Sequence, residues 1–208
     1  MKKLIALIIS FLIAMALRGQ GLKEHKVAAV NQTAIQFNDS AVAIISQPYD
    51  SFNYSIALSL LETAIRIDSN FYVAYWNKLS VESQLRKYKQ AIETGMKLIA
   101  FNPREPQFYG LVGSWYFRIG DSVSSTKYYN QAVILYDQAL DTIDTNKIEF
   151  KLFKVNRAAI LIMLNRSEEA HEILRQMQNI ETDEVIKNLI EMVLDKTPQQ
   201  IYDYLNKY

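Results

Sequence analysis

The stretch YKQAIETGMKLIAFNP, residues 88–103, predicts an amphipathic helix with a defined end. Apolar side chains recur at helical spacing along it, and the small Ala91 stands three residues after Tyr88. The pattern stops at Asn102, because proline disfavours helical geometry in the residue before it and lacks the N–H that would extend the helix. Antiparallel helices that cross at about 8–10 Å need small residues on one face, so Ala91 predicts a helix crossing.

The same pattern recurs with a fixed period along the chain. The stretch YSIALSLLETAIRIDSN (54–70) aligns with YKQAIETGMKLIAFNPR (88–104), and a further step of the same length reaches residues 122–137. Small residues recur at the predicted crossing and large ones recur beside it, which predicts a stack of similar helix pairs. The small residues are Ala57, Ala91, Ser125 and Ala170, and the large ones are Tyr54, Tyr88, Tyr116 and Tyr129.

This arrangement resembles the tetratricopeptide repeat (TPR), a helix-turn-helix unit of about 34 residues. The best single match is FYGLVGSWYFRIGDSVSSTKYYNQAVILYD, residues 108–137. The resemblance implies an all-α fold, an α-solenoid of TPR-like repeats with a C-terminal capping helix. The alternative is a helical bundle with an accidental periodicity. The matching positions are Tyr109, Gly113 and Tyr116 on the first helix, residues 119–121 in the turn, and Tyr129 and Ala132 on the second helix.

The repeats divide the chain into units within one predicted helical domain, residues 21–208. Pro48 interrupts the first helix of the first unit, and the first helix of the second unit is one residue out of step, with Leu79 one place late. The expected units are about 38–71, 72–105, 106–150 with an insertion, 151–182, and a C-terminal cap over 183–208.

Two segments near the C-terminus have patterns of their own. The insertion VILYDQALDTIDTNKIEF predicts an extended second helix and then a loop near residues 141–146. In the tail, DKTPQQIYDYLNKY, Thr197 is the expected N-cap and Pro198 the first helical residue. Gln200 completes a predicted capping box.

The N-terminus, MKKLIALIISFLIAMALRGQ, is typical of a secretory signal peptide. Lys2 and Lys3 precede an apolar run over residues 4–17, which is shorter than the about 20 residues of a membrane span. We expect residues 1–20 to be the signal peptide, with the cut after Ala16, Gly19 or Gln20, and cleavage to leave a periplasmic or secreted protein with no stable membrane span. The alternative is an uncleaved anchor. The chain has no cysteine, which excludes a lipoprotein anchor, thiol catalysis and disulfides.

The composition and motifs do not indicate an enzyme. A cut after Gln20 removes three cations and no acid and leaves a formal charge of −2, which does not favour nucleic-acid binding. The two histidines, His25 and His171, have no pattern of metal ligands around them, and the acids of the insertion lack the spacing of a calcium loop. Neither a nucleophile elbow nor a phosphate-binding loop occurs. We therefore predict no catalytic residue, no metal and no cofactor.

The resemblance to TPR proteins implies protein binding in a concave groove lined by the first helices of successive repeats. Where family members that clamp a carboxylate carry lysines, this chain has apolar and aromatic residues. That difference favours an extended peptide or an amphipathic helix as the ligand. The candidate groove residues are Trp76, Asn77, Ser80, Gln84, Leu111, Ser114, Phe117, Arg118, Val155, Asn156 and Ala159.

We expect the chain to be a non-catalytic interaction scaffold of a bacterial cell envelope, with a protein or peptide as partner. One alternative is a glycan-binding protein in which Trp76, Tyr109 and Phe117 stack on sugar rings. Another is a structural or homo-oligomer-forming module. Trp76 also has two readings: it lines the groove, or it is a core residue and Tyr75 faces outward in its place.

Overall fold

The computed structural model describes residues 29–201, and every regular element in that part of the chain is a helix, as predicted. The predicted signal peptide, His25 and residues 202–208 lie outside the described residues. Within the described part, none of the helices has the length and apolar character needed to cross a bilayer. The helices are α1 (Gln32–Ile45), α2 (Ser51–Ile67), α3 (Tyr72–Gln84), α4 (Tyr88–Phe101), α5 (Pro106–Arg118), α6 (Ser122–Leu140), α7 (Ile148–Met163), α8 (Ser167–Ile180) and α9 (Glu184–Val193).

The described residues form two compact units, 29–125 and 126–201, and the boundary falls within α6. The first unit contains α1 to α5, and the second contains most of α6 together with α7 to α9. The prediction of one continuous domain over residues 21–208 stays a prediction.

The first unit keeps the repeat period in its backbone. Helices α3 and α5 begin at Tyr72 and Pro106, one repeat period apart, and each has 13 residues. Leu79 is buried at the position that Gly113 occupies one repeat later. The predicted slip of one residue in α3 is therefore wrong, because the helix register is constant and only the side-chain sizes differ.

Small residues occupy the buried positions where helix crossings were predicted. Their size allows the helix backbones to approach closely without forcing neighbouring side chains apart. The buried small residues that were predicted are Ala57, Ala91, Ser125 and Ala170, and the structure adds Ala34, Ala41 and Ala64 in the first hairpin.

The first hairpin, α1 and α2, begins earlier than predicted. The side-chain oxygen of Asn31 accepts hydrogen bonds from the backbone N–H groups of Thr33 and Ala34, at 2.9 and 3.3 Å. This N-cap starts α1 at Gln32, well before residue 38. Pro48 lies in the exposed turn between the two helices, so it follows the end of α1 and does not interrupt a helix.

Three of the first helices, α3, α5 and α7, are followed by a turn that has a residue with left-handed backbone conformation at the same place. The φ angles are +56° at Arg86, +83° at Gly120 and +60° at Asn165. In each turn the N–H of the following residue donates to the carbonyl five residues back, at 2.8, 2.9 and 2.8 Å. This Schellman arrangement satisfies a carbonyl at the helix end and reverses the chain. The predicted turn at residues 119–121 is confirmed.

In the second unit, α7, α8 and α9 pack against one another, and Arg157 ties α7 to two neighbours. Its Nε donates to Asp137 Oδ1 of α6 at 2.6 Å, and its Nη2 donates to Glu169 Oε1 of α8 at 3.0 Å. Helix α6 ends at Leu140 and a loop follows, so the predicted long second helix is confirmed.

Hydrogen-bonded side chains fix the C-terminal elements of the second unit. Oε1 of the buried Glu181 accepts from the N–H groups of Thr182 and Asp183 at 2.9 and 2.8 Å, and from Lys151 Nζ at 2.9 Å. Burial alone would raise the pKa of Glu181, but these hydrogen bonds and the Lys151 charge outweigh it and hold the pKa below its usual value.

The predicted capping box at the tail is confirmed. The N–H of Thr197 donates to Gln200 Oε1 at 2.8 Å, and the N–H of Gln200 donates to Thr197 Oγ1 at 3.2 Å. Each side chain therefore satisfies a backbone donor that the first helical turn leaves without a partner.

Candidate partner-binding surface

The first helices of successive repeats in the first unit are in direct side-chain contact. Asn77 Nδ2 of α3 donates to Asn38 Oδ1 of α1 at 2.8 Å. The ring of Trp76 on α3 lies 5.8 Å from the ring of Phe108 on α5, centroid to centroid. Helices α1, α3 and α5 therefore lie side by side, which is the arrangement that a groove of first helices requires.

Helix α3 presents an outward stripe of small and polar side chains. Asn77, Ser80 and Gln84 recur at spacings of three and four and so share one face. Ser80 is exposed, and Asn77 and Gln84 are half-buried. Val73, one turn before Asn77, is exposed on the same face. The opposite side of α3 packs on α4, where Thr94 hydrogen-bonds to Glu82.

Helix α5 has a matching stripe of Leu111, Ser114 and Arg118, all half-buried. Arg118 is held in place by Tyr88. Its Nη1 donates to the tyrosine hydroxyl at 3.1 Å, and its guanidinium carbon lies 5.1 Å from the centre of the ring. Phe117 is half-buried beside this stripe.

We call the two stripes together the α3–α5 face. Its only formal charge is the positive charge of Arg118, and it has no acidic member. The face therefore consists of uncharged polar and apolar side chains, with one cation, Arg118, at one end. It consists of Val73, Asn77, Ser80, Gln84, Leu111, Ser114 and Arg118.

Trp76 is a core residue, so the expectation that it lines an open groove is wrong. Its side chain is only 8% exposed. It lies one position before Asn77, on the side of α3 that contacts Phe108 of α5. Tyr75, which was expected to face outward in this case, is half-buried with its ring 5.4 Å from that of Phe101. Because Trp76 is buried, it is also not available to stack on a sugar ring, as the glycan-binding alternative required.

The remaining candidates lie on α7, in the second unit. Val155 is buried, so the expectation that it lines an open surface is wrong. Helix α7 packs against both α8 and α9, which covers more of its circumference than sequence periodicity alone indicated. Asn156 and Ala159 are half-buried.

Sequence reasoning missed two residues that shape the first unit. Gly95 on α4 provides a very close approach to α5, since a Cβ there would lie 2.7 Å from Val112 Cγ2. An isolated glycine inside a helical pattern was the available signal. Val73 was not among the predicted groove residues, although it lies one turn before Asn77 on the same helix face.

Glu82 is a buried acid between α3 and α4. Its Oε1 pairs with Lys78 Nζ at 3.3 Å, and its Oε2 is buried without a hydrogen-bond partner. Burial raises the pKa of Glu82, and the hydrogen bond from Thr94 and the charge of Lys78 counteract this only in part. The group lies on the side of α3 away from the α3–α5 face, so we assign it to packing.

Among residues 29–201, histidine and acidic side chains do not form a group of three that could hold a metal ion. His171 is half-buried on α8. Arg175, one helical turn after His171, pairs with Asp195 at 3.0 Å.

Comparisons with known proteins support the fold. No family model matches the sequence, and no curated protein matches it. A crystal structure of a thermophilic TPR protein from Thermus thermophilus matches with a TM-score of 0.53 at 19% identity, covering 84% of this chain and 88% of that one. A second match is MamA, from residue 41 to its end, from Desulfovibrio magneticus RS-1, with a TM-score of 0.44 at 13% identity. It covers 73% of this chain and 97% of that one. With its pairs of helices, its regular repeat period and its likeness to the first of these structures, the chain has the fold of a tetratricopeptide repeat protein.

Proposed function

We propose that the chain is a non-catalytic protein-interaction scaffold that binds a peptide or a partner helix on its α3–α5 face. The observation that supports this most directly is the contact between successive first helices, through Asn38 and Asn77 and through Trp76 and Phe108. This contact supports the proposal because the two stripes, which have matching spacing, lie on first helices that touch.

The chemistry of the face suits a main chain as ligand. Asn77 and Gln84 carry both donors and acceptors, and Ser80 and Ser114 leave room for a backbone to approach. Leu111 and Val73 offer apolar contact area. Arg118, positioned by Tyr88, supplies one fixed cation at the end of the face. We propose an uncharged or weakly acidic extended peptide as the ligand class.

A random peptide library displayed on phage, selected against the purified protein, tests this proposal. We expect enriched peptides whose affinity falls by about tenfold or more in Ser80→Tyr, because the larger side chain blocks the face. Ala100→Tyr is the matched control, since Ala100 is also exposed but lies on α4. Equal binding to wild type and Ser80→Tyr, or no enrichment at all, would contradict the proposal.

We also propose that the protein works outside the cytoplasm, in a bacterial cell envelope or beyond it. The support is the sequence of residues 1–20, with Lys2 and Lys3 before the apolar run. N-terminal sequencing of the protein from its own cells should give a first residue between Leu17 and Gly21. Recovery of intact Met1 in the membrane fraction would instead establish an anchor.

A further inference from the structure

The outer face of α2 is an apolar stripe that runs the length of the helix. Phe52 is 72% exposed, Ile56 41% and Ile67 38%, and Leu60 between them is half-buried. The stripe extends about 22 Å along the helix. The opposite side of α2 is the buried side, with Ala57, Leu61 and Ala64 in the core. We call Phe52, Ile56, Ser59, Leu60, Thr63 and Ile67 the α2 stripe.

The α2 stripe has no charged member. Residues 51–61 contain no charged side chain, and the only charges on the helix, Glu62 and Arg66, are of opposite sign and one turn apart. The outer face of α4, the second helix of the next repeat, is different, since Lys89, Glu93 and Lys97 are all exposed there. Depletion of charge together with exposed large apolar side chains is typical of the core of a protein interface.

Two hydroxyl groups, that of Thr63 on the stripe and that of Ser55 beside it, already have partners within the helix. Ser55 Oγ donates to the carbonyl of Ser51 at 2.9 Å, and Thr63 Oγ1 donates to the carbonyl of Ser59 at 3.0 Å. Their donors therefore stay satisfied if water is removed from this face, and covering it leaves no orphaned hydroxyl donor on them.

The residue sizes along the stripe fit an antiparallel copy of the same stripe. A two-fold axis at the midpoint between Ser59 and Leu60 would place each residue of one copy opposite a residue of the other. Near the axis a large side chain then meets a smaller one, and at the ends of the stripe two large apolar side chains meet. A two-fold interface brings one patch against itself, so a patch without charge meets no like-charge repulsion there. The pairs are Phe52 with Ile67, Ile56 with Thr63, and Ser59 with Leu60.

We propose that the α2 stripe is the two-fold interface at which a second copy of this chain docks, with the two α2 helices antiparallel. A lipid surface fits less well, because helices that lie on membranes carry Lys and Arg beside their apolar face and Arg66 is the only cation on α2. The inference does not depend on the α3–α5 face, which lies on other helices.

Sedimentation equilibrium of the full chain over a range of concentrations tests the association. We expect a dimer, and we expect Ile56→Glu to raise its dissociation constant by about 100-fold or more, since two carboxylates would be buried close to the axis. Met96→Glu is the matched control, because Met96 is 40% exposed on the outer face of α4 and should leave the dimer intact. Ser80→Tyr should leave it intact as well.

Single cysteines test the register, because the chain has none of its own. Ser59→Cys lies next to the axis and should form a disulfide-linked dimer under mild oxidation. Phe52→Cys should not, since the two copies of residue 52 would lie about 22 Å apart. Adding Thr63→Lys to Ile56→Glu should restore the dimer, because the two new charges pair across the axis.

Several results would overturn the proposal. One is a monomer at every concentration. Another is a dimer that Ile56→Glu leaves unchanged, and a third is equal crosslinking of Ser59→Cys and Phe52→Cys. A monomer that sediments with vesicles of phosphatidylcholine and phosphatidylglycerol would assign the stripe to lipid. A monomer in which Ile56→Glu lowers only the Tm would assign it to another segment of the same chain.

Discussion

Gly95 and Val112 lie so close together that a methyl group does not fit between them. A Cβ on Gly95 would stand 2.7 Å from Cγ2 of Val112 and 3.2 Å from the ring of Trp115. Both of these side chains are buried, so neither has free space to move into. The absence of a side chain at Gly95 therefore sets how closely α4 approaches α5, where one repeat meets the next.

Gly95→Ala should destabilise the protein although alanine is the better helix former. The gain in helix propensity is about 1 kcal/mol, and overpacking costs about 1–3 kcal/mol, so we expect a net loss of about 1 kcal/mol. Urea unfolding measures it. Val112→Ala in the same chain should relieve the overlap, so the double variant should lose less than the two single losses added together. A higher Tm for Gly95→Ala would mean that α4 and α5 are farther apart than described.

Trp76→Ala should cost about 3–5 kcal/mol of unfolding free energy, because it empties a buried site beside Phe108. In wild type both Trp76 and Trp115 are buried, so acrylamide should quench the fluorescence only weakly. Trp115→Phe leaves Trp76 as the single emitter and gives a direct reading of its shielding. Strong quenching together with an unchanged Tm for Trp76→Ala would show that Trp76 is exposed in an open groove and is not a core residue.

Arg86→Gly should stabilise the protein. Arg86 has a φ of +56°, in the left-handed region that glycine adopts without strain and that other L-residues adopt at a cost. The equivalent position in the next repeat is Gly120, with a φ of +83°. The relieved strain exceeds the extra entropy that glycine loses on folding, so we expect a gain of about 0.5–1 kcal/mol by chemical unfolding.

Two control variants separate backbone from side-chain effects at this turn. Arg86→Ala loses the same side chain but keeps the strained φ, so it should be less stable than Arg86→Gly. Asn165→Gly should gain less than Arg86→Gly, because asparagine tolerates the left-handed region better than arginine does. Equal stability of Arg86→Ala and Arg86→Gly would show that strain at this turn is negligible.

Glu82→Gln should stabilise the protein at pH 7, with a benefit that shrinks as the pH falls. Burial raises the pKa of Glu82 in the folded state, so the folded chain holds this proton more tightly than the unfolded chain. Below the pKa that Glu82 has in the unfolded chain, the carboxyl is protonated in both states and does not destabilise the fold. This stability is lost as the pH rises through the higher pKa that Glu82 has in the folded chain. Urea unfolding of both proteins between pH 4 and pH 7 should show the difference widening with pH. A difference that is constant with pH would mean that the carboxyl is not desolvated.

Local patterns in the sequence were sufficient to predict many of the helices and where they begin or end. The Asn102–Pro103 stop and the capping box of Thr197 and Gln200 act within one or two helical turns, so neighbouring residues decide them. The repeat period likewise predicted the fold, because one small residue per crossing is needed wherever two helices approach. The start of α1 was mispredicted, since its N-cap, Asn31, lies before the recognisable part of the repeat.

Which face of a first helix stays open could not be predicted from the sequence, because it depends on how helices distant in sequence divide the space between them. The sequence by itself determined the helix pairs, their spacing and the outward stripe of Asn77, Ser80 and Gln84. Only the tertiary structure decided that Trp76, one position away, turns into the core against Phe108.

The crossing of α3 and α4 shows the physical reason. The large Leu79 of α3 lies against Gly95 of α4, where a Cβ would stand 3.8 Å from Leu79 Cδ1. One repeat later in the sequence the sizes are exchanged, since Gly113 takes the place of Leu79 and Tyr129 takes the place of Gly95. Helix packing requires a small residue at a crossing but leaves open which helix supplies it, and that choice appears only when both helices are in place.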